Sequence, residues 1–251
     1  MCFKILTTRN MNIKHKKNTV QKLVNMYENI RYIFSDSFQI VKSYGYDENI
    51  DCRTVFYKIA CQTTQTNVIL FHLIDEYFED IELWKFQKLE NEEQKQQFLR
   101  NQLDLIISDL RENLFVNIFL RFENFIKLIS RSQEINGNKL NKLSKDLIDK
   151  LNLNSDYKNL INLITYIRNT IHTEGFHTEP DITILYNSQK FELKQKQPVT
   201  FYNEDFLYFL ISEINKFILE IINSNDIINY FFRFTFFSSL FSFNPSFSYR
   251  I

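Results

Sequence analysis

The chain has 251 residues, enough for one large domain or two small ones. Its formal net charge is zero and its charged fraction is 24%, which excludes wholesale disorder and a uniformly basic nucleic-acid coat. Three Gly and three Pro among many long apolar residues favour helices.

Residues 1–22 carry Lys4, Arg9, Lys14, Lys16, Lys17 and Lys22, and the first acid is Glu28. They are read as a basic N-terminal arm, solvated or drawn to RNA or an acidic partner. Residues 23–225 are read as a single helical domain. From about Thr19 to Ser43, Val20, Leu23, Val24, Tyr27, Ile30, Ile33 and Phe34 recur at helical intervals. Tyr44-Gly45-Tyr46-Asp47 ends that helix. A second helix is predicted over about 53–86, with a break near Thr63–Thr66. Residues 88–100 are charged and Gln-rich, as in a solvated helix or connector.

The strongest helical pattern runs from about Gln102 to Ser130. Leu103, Ile106, Leu110, Leu114, Ile118, Phe122, Phe125 and Ile129 form one stripe; Leu105, Val116, Phe119, Leu120 and Leu128 form a second. A helix apolar on two sides belongs between neighbours, so this segment is predicted to be the central core helix. A loop around Gly137 and a short helix over about 144–151 follow. Ser155 then offers an N-cap for a helix whose apolar face is Tyr157, Leu160, Ile161, Ile164, Ile167 and Ile171. Gly175 suits the position just past its end.

Beyond Pro180 the apolar period changes to two: Ile182, Ile184, Tyr186, then Phe191 and Leu193. With Asn187-Ser188 as the turn, residues 182–194 read as a β-hairpin closed by Pro198. A last amphipathic helix covers about 203–223, with Phe206, Leu207, Leu210, Ile214, Phe217, Ile218 and Ile221 inward and Glu204 and Asp205 in its first turn. Residues 226–251 form a Phe-rich tail, read as a self-associating segment or a stretch outside the native frame. The expected fold is mainly α: a helical bundle with a small β-hairpin.

Little in this sequence carries chemistry. Cys2, Cys52 and Cys61 lack the C-x2-C spacing of a metal site and read as reduced thiols of a cytoplasmic protein. No signal-peptide stretch opens the chain, and no apolar run before the tail reaches membrane-spanning length. Three glycines cannot build a phosphate loop, and no H-E-x-x-H occurs. His72, near Asp75 and Glu76, reads as a core-edge histidine rather than a metal ligand. Glu123, beside Arg121, reads as a buried polar partner, since an unpaired charge inside that helix is costly. No cofactor or metal is expected.

The exception is Tyr166-Ile167-Arg168-Asn169-Thr170-Ile171-His172-Thr173-Glu174-Gly175. Arg168 and His172 stand four residues apart, one turn along a single helical face, on the flank of the apolar stripe. An arginine is always charged and a histidine titrates near neutrality, so together they suit a phosphate and a proton. A plainer account also fits: cations in a last turn complement the helix dipole.

This stretch resembles the signature of HEPN-domain proteins (higher eukaryotes and prokaryotes nucleotide-binding), over roughly residues 100–225. These are all-helical domains, many of them metal-independent RNases of toxin–antitoxin and phage-defence systems. Their motif is R-x4-6-H, often with Asn after the Arg, as in Arg168-Asn169. Three residues separate Arg168 from His172, one fewer than that minimum, whereas His177 would leave eight. The resemblance implies His172 in proton transfer, Arg168 on the scissile phosphate and Asn169 orienting the pair. It implies RNA as substrate, a homodimer with facing motifs, and an antitoxin or other defence-system protein as partner. A catalytically inactive relative would bind RNA, nucleotide or a partner protein.

Overall fold

In a computed structural model the described residues are 2–78, 89, 91–173 and 175–228, with side-chain environments from Val20 onward. Among them are seven helices and one two-stranded sheet: α1 (Cys2–Ser43), α2 (Cys52–Tyr77), α3 (Glu92–Ser132), α4 (Leu140–Lys150), α5 (Tyr157–Ile171), β1 (Ile182–Tyr186), β2 (Gln189–Leu193), α6 (Glu204–Asn223) and α7 (Asn225–Ile228). The fold is mainly α with a small hairpin, as the periodicities predict.

α1 and α2 form an antiparallel pair. α2 packs on α3, and α6 fills the space between α1 and α3. α4 and α5 cover the C-terminal half of α3, and the hairpin leans on α5. The main core joins Tyr27, Ile30 and Phe34 of α1, Phe56 and Phe71 of α2, Phe122, Phe125 and Ile129 of α3, Leu160 and Ile164 of α5, and Leu210, Ile214 and Phe217 of α6. Each such side chain contributes about 1.5–3 kcal/mol by leaving water. α6 presents every residue expected inward as a buried one.

Several boundaries differ from expectation. α1 runs without interruption through residues expected to form the basic arm. α2 does not break at Thr63–Thr66. Thr64 Oγ1 donates to the Ala60 carbonyl (2.9 Å), Thr66 Oγ1 to Gln62 (3.0 Å) and Asn67 Nδ2 to Thr63 (2.9 Å), so the polar groups bond within the helix. α2 ends at Tyr77 with Phe78 as its C-cap; residues 79–86 of the expected helix lie outside the described residues. α3 starts ten residues early, because Asn91 caps it through Oδ1 to the Gln94 amide (3.0 Å). Its second stripe is only partly buried: Phe119 is enclosed, but Leu105 and Leu120 are exposed. α4 begins at Leu140 rather than 144.

Ser155 does not cap α5. The chain enters through a turn in which Asn154 Oδ1 accepts the Asp156 amide (3.0 Å), and Asp156 occupies the cap position. The hairpin has the expected span. Ile182 pairs with Leu193 and Tyr186 with Gln189, and Asn187 and Ser188 both take positive φ, 48° and 60°. That is the twist-matched two-residue turn. Of the expected tail, Asp226 to Ile228 belong to α7, and residues 229–251 lie outside the described residues. No helix among the described residues is long and apolar enough to cross a membrane.

Candidate functional site

α5 sets the site. Its buried face (Leu160, Ile161, Leu163, Ile164, Ile167) fixes the helix against α3, α4 and α6. Arg168 and Asn169 follow Ile167 on the flank and are half-buried. The Arg168 guanidinium carbon lies 5.8 Å from the centre of the Phe119 ring on α3. An aromatic face at that distance attracts a cation and limits its rotamers. Arg168 Nη1 also makes a long contact to Asn169 Oδ1, 3.5 Å.

His172 is exposed and is the C-cap residue of α5. Its backbone amide donates to the Arg168 carbonyl at 3.4 Å. The helix therefore runs from Arg168 to His172, and both side chains leave it one turn apart. The structure brings together Arg168, Asn169 and Phe119, and leaves His172 accessible beside them. Phe119 was expected only as a core residue of α3; one sequence has no signal for the guanidinium that lies over it.

The turn after His172 is tied down. Thr173 Oγ1 donates to the carbonyls of Asn169 (3.2 Å) and Thr170 (3.1 Å). The Gly175 amide donates to Thr170 at 2.8 Å. Gly175 has φ of +86°, three residues past the cap rather than next to it. The chain then pairs with the far side of the hairpin. The Val199 amide donates to Gly175 (3.1 Å), Phe176 bridges Pro198, and the His177 amide donates to Gln197 (3.0 Å). Segments 175–177 and 197–199 thus extend the hairpin as a ribbon to the foot of α5.

His177 belongs to this ribbon. It is 1% exposed, its Nε2 lies 3.0 Å from the Pro180 carbonyl, and its ring packs edge-on against Tyr166 at 5.5 Å. Such a histidine is a structural pin, inaccessible to a substrate.

Two further expectations are corrected. Glu123 pairs with Lys127 one turn along α3 (2.7 Å), so its charge is met on its own helix. His72 is not at the core edge: its side chain is about half exposed, with Nε2 3.9 Å from Glu28 of α1. Among the described residues no group of three or more His, Cys, Asp or Glu is placed to hold a metal ion.

A delocalised cation held over a ring, a neighbouring amide and an accessible imidazole can bind a phosphate and exchange a proton with it. No protein-family model, curated protein or solved structure matches this chain.

Proposed function

We propose that this protein is a HEPN-like, metal-independent endoribonuclease of a defence or toxin–antitoxin type. The observation that carries the reading is the pairing of a half-buried Arg168, held over Phe119, with an exposed His172 one turn further along α5. Arg168 neutralises the scissile phosphate and the charge that builds on it during attack. His172 takes the proton of the 2′-hydroxyl or gives one to the leaving 5′-oxygen. Asn169 orients Arg168 or bonds a phosphate oxygen. Two copies act together, and an antitoxin-like partner restrains them.

The experiment is incubation of RNA with the full chain in excess EDTA, alongside Arg168→Ala and His172→Ala. The wild type is expected to cut, leaving 2′,3′-cyclic phosphate ends, and each variant to lose at least about 100-fold, the scale of general acid–base catalysis. Intact RNA with the wild type, or equal cutting by the variants, defeats the reading.

The three-residue spacing of Arg168 and His172, with His172 at the C-cap of its helix, favours a second reading: an inactive module that binds RNA, nucleotide or a partner protein. In that case RNA is retained uncut and Arg168→Ala weakens retention.

A further inference from the structure

The C-terminal half of α2 is apolar on both sides. Val68 and Phe71 face the core, while Ile69, Leu70, Leu73 and Tyr77 point outward with relative exposures of 52, 37, 49 and 52%. Ile69, Leu73 and Tyr77 follow an i, i+4, i+8 ridge, and Leu70 widens it. A helix with apolar residues on both faces normally lies between two neighbours. α1 extends the surface. Glu28 stands beside His72 at 3.9 Å, which sets the antiparallel register, and one turn along Tyr32 (57% exposed) follows Glu28 as Ile69 precedes His72.

We infer that this surface is the interface between two copies of the chain, packed α2 against α2 about a two-fold axis near Leu73. An isologous contact needs a self-complementary patch, and the ridge is one. In antiparallel packing Leu73 meets its own copy, and Ile69 of each copy faces Tyr77 of the other. His72 and Glu76 share one flank, so each histidine comes within reach of the other copy's Glu76. The five apolar side chains, 37–57% exposed, form one contiguous patch of the kind that marks a protein interaction site. A net charge of zero gives the copies no overall repulsion. Glu28, Asp75 and Glu76 along the patch outnumber Arg31, which lies over the Tyr32 ring at 4.8 Å, and disfavour anionic lipid and nucleic acid as occupants.

This inference stands apart from the RNA reading. Arg168 lies over Phe119, more than four turns along α3 from the Leu99–Leu103 stretch that packs with Phe78 at the end of α2.

The test is sedimentation equilibrium of the full chain from about 1 to 100 µM. The wild type is expected to sediment as a dimer within this range and Leu73→Glu as a monomer with unchanged circular dichroism. Leu105→Glu, at another exposed leucine, is expected to leave the dimer intact. Leu73→Cys is expected to cross-link to its own copy on oxidation, while the wild type does not. A wild type that stays monomeric overturns the inference, as does a dimer that survives Leu73→Glu. A monomer in which Leu73→Cys is shielded from thiol labelling assigns the ridge to another part of the chain and also overturns it. The two readings fail separately: a dimer that is lost on Leu73→Glu but leaves RNA intact defeats the nuclease reading alone, and RNA cleavage by a dimer that survives Leu73→Glu defeats this interface alone.

Discussion

Arg53 and Asp51, both fully buried, grip each other through two hydrogen bonds, Nε to Oδ1 at 2.9 Å and Nη2 to Oδ2 at 2.7 Å. Arg53 also donates to the Ile227 carbonyl (3.0 Å) and stacks on the Tyr46 ring, 3.2 Å from its centre. Tyr46 in turn donates to the Ile228 carbonyl (2.5 Å). The loop between α1 and α2 is thereby locked to α7. Removing one member of a buried pair leaves a charge without its counter-ion, at a cost of about 3–5 kcal/mol. Arg53→Met is therefore expected to lower urea stability by that amount and to speed amide exchange in α7. A loss under about 1 kcal/mol would contradict the clamp.

A second tie fastens the hairpin to α6. Tyr186 Oη donates to Glu213 Oε2 (2.6 Å), and Lys216 bonds the other carboxylate oxygen (2.5 Å). Tyr186→Phe keeps the ring and leaves one buried oxygen unmet, which costs about 1–3 kcal/mol. Thermal melts of Tyr186→Phe and Glu213→Gln check this, and the glutamine variant, which retains an acceptor, is expected to lose less.

Stability should fall in alkali. Burial raises the Tyr27, Tyr57, Tyr186 and Tyr202 hydroxyls above their ordinary value of 10.0 and the Cys52 thiol above 9.0; it pushes Cys61 up to about 11. The unfolded chain thus gives up these protons at lower pH than the folded one. Their contribution is fully present below pH 9, starts to fall there as the unfolded thiols ionise, and falls faster above pH 10 with the tyrosines. Urea midpoints at pH 8, 9, 10 and 11 are expected to decline in that order. A flat profile would refute the assignment.

Two positive-φ positions give opposite signs. Gly175, at +86°, has open space where a Cβ would stand, so Gly175→Ala meets no clash, only backbone strain of about 1–2 kcal/mol. Ser188, at +60°, already carries such strain, and Ser188→Gly is expected to gain about 0.5–1 kcal/mol. Denaturation midpoints of the two variants should move apart.

Much of the helical frame was legible in the sequence, because a 3.6-residue apolar period states which face is buried whatever it is buried against. The inward faces of α5 and α6, the hairpin span and the Asn187-Ser188 turn follow from residue order alone. Helix starts were less legible. Asn91 and Asn154 each bond a nearby amide, while Ser155, equally suitable by type, does not. The motif was found by spacing. Its support was not: Phe119 lies forty-nine positions before Arg168, and nothing local links them.

By itself the sequence determined the class of fold and the order of elements, since these depend on neighbours within a turn or two. Only tertiary structure decided which histidine is accessible. Spacing from Arg168 set His172 apart from His177 but said nothing of their exposure. One ends a helix in solvent; the other is enclosed by Tyr166, Pro180 and a ribbon returning from residues 196–199. Tertiary structure likewise decided that Ile69, Leu73 and Tyr77 face outward. An apolar helix with two candidate faces does not reveal which one its neighbours will cover.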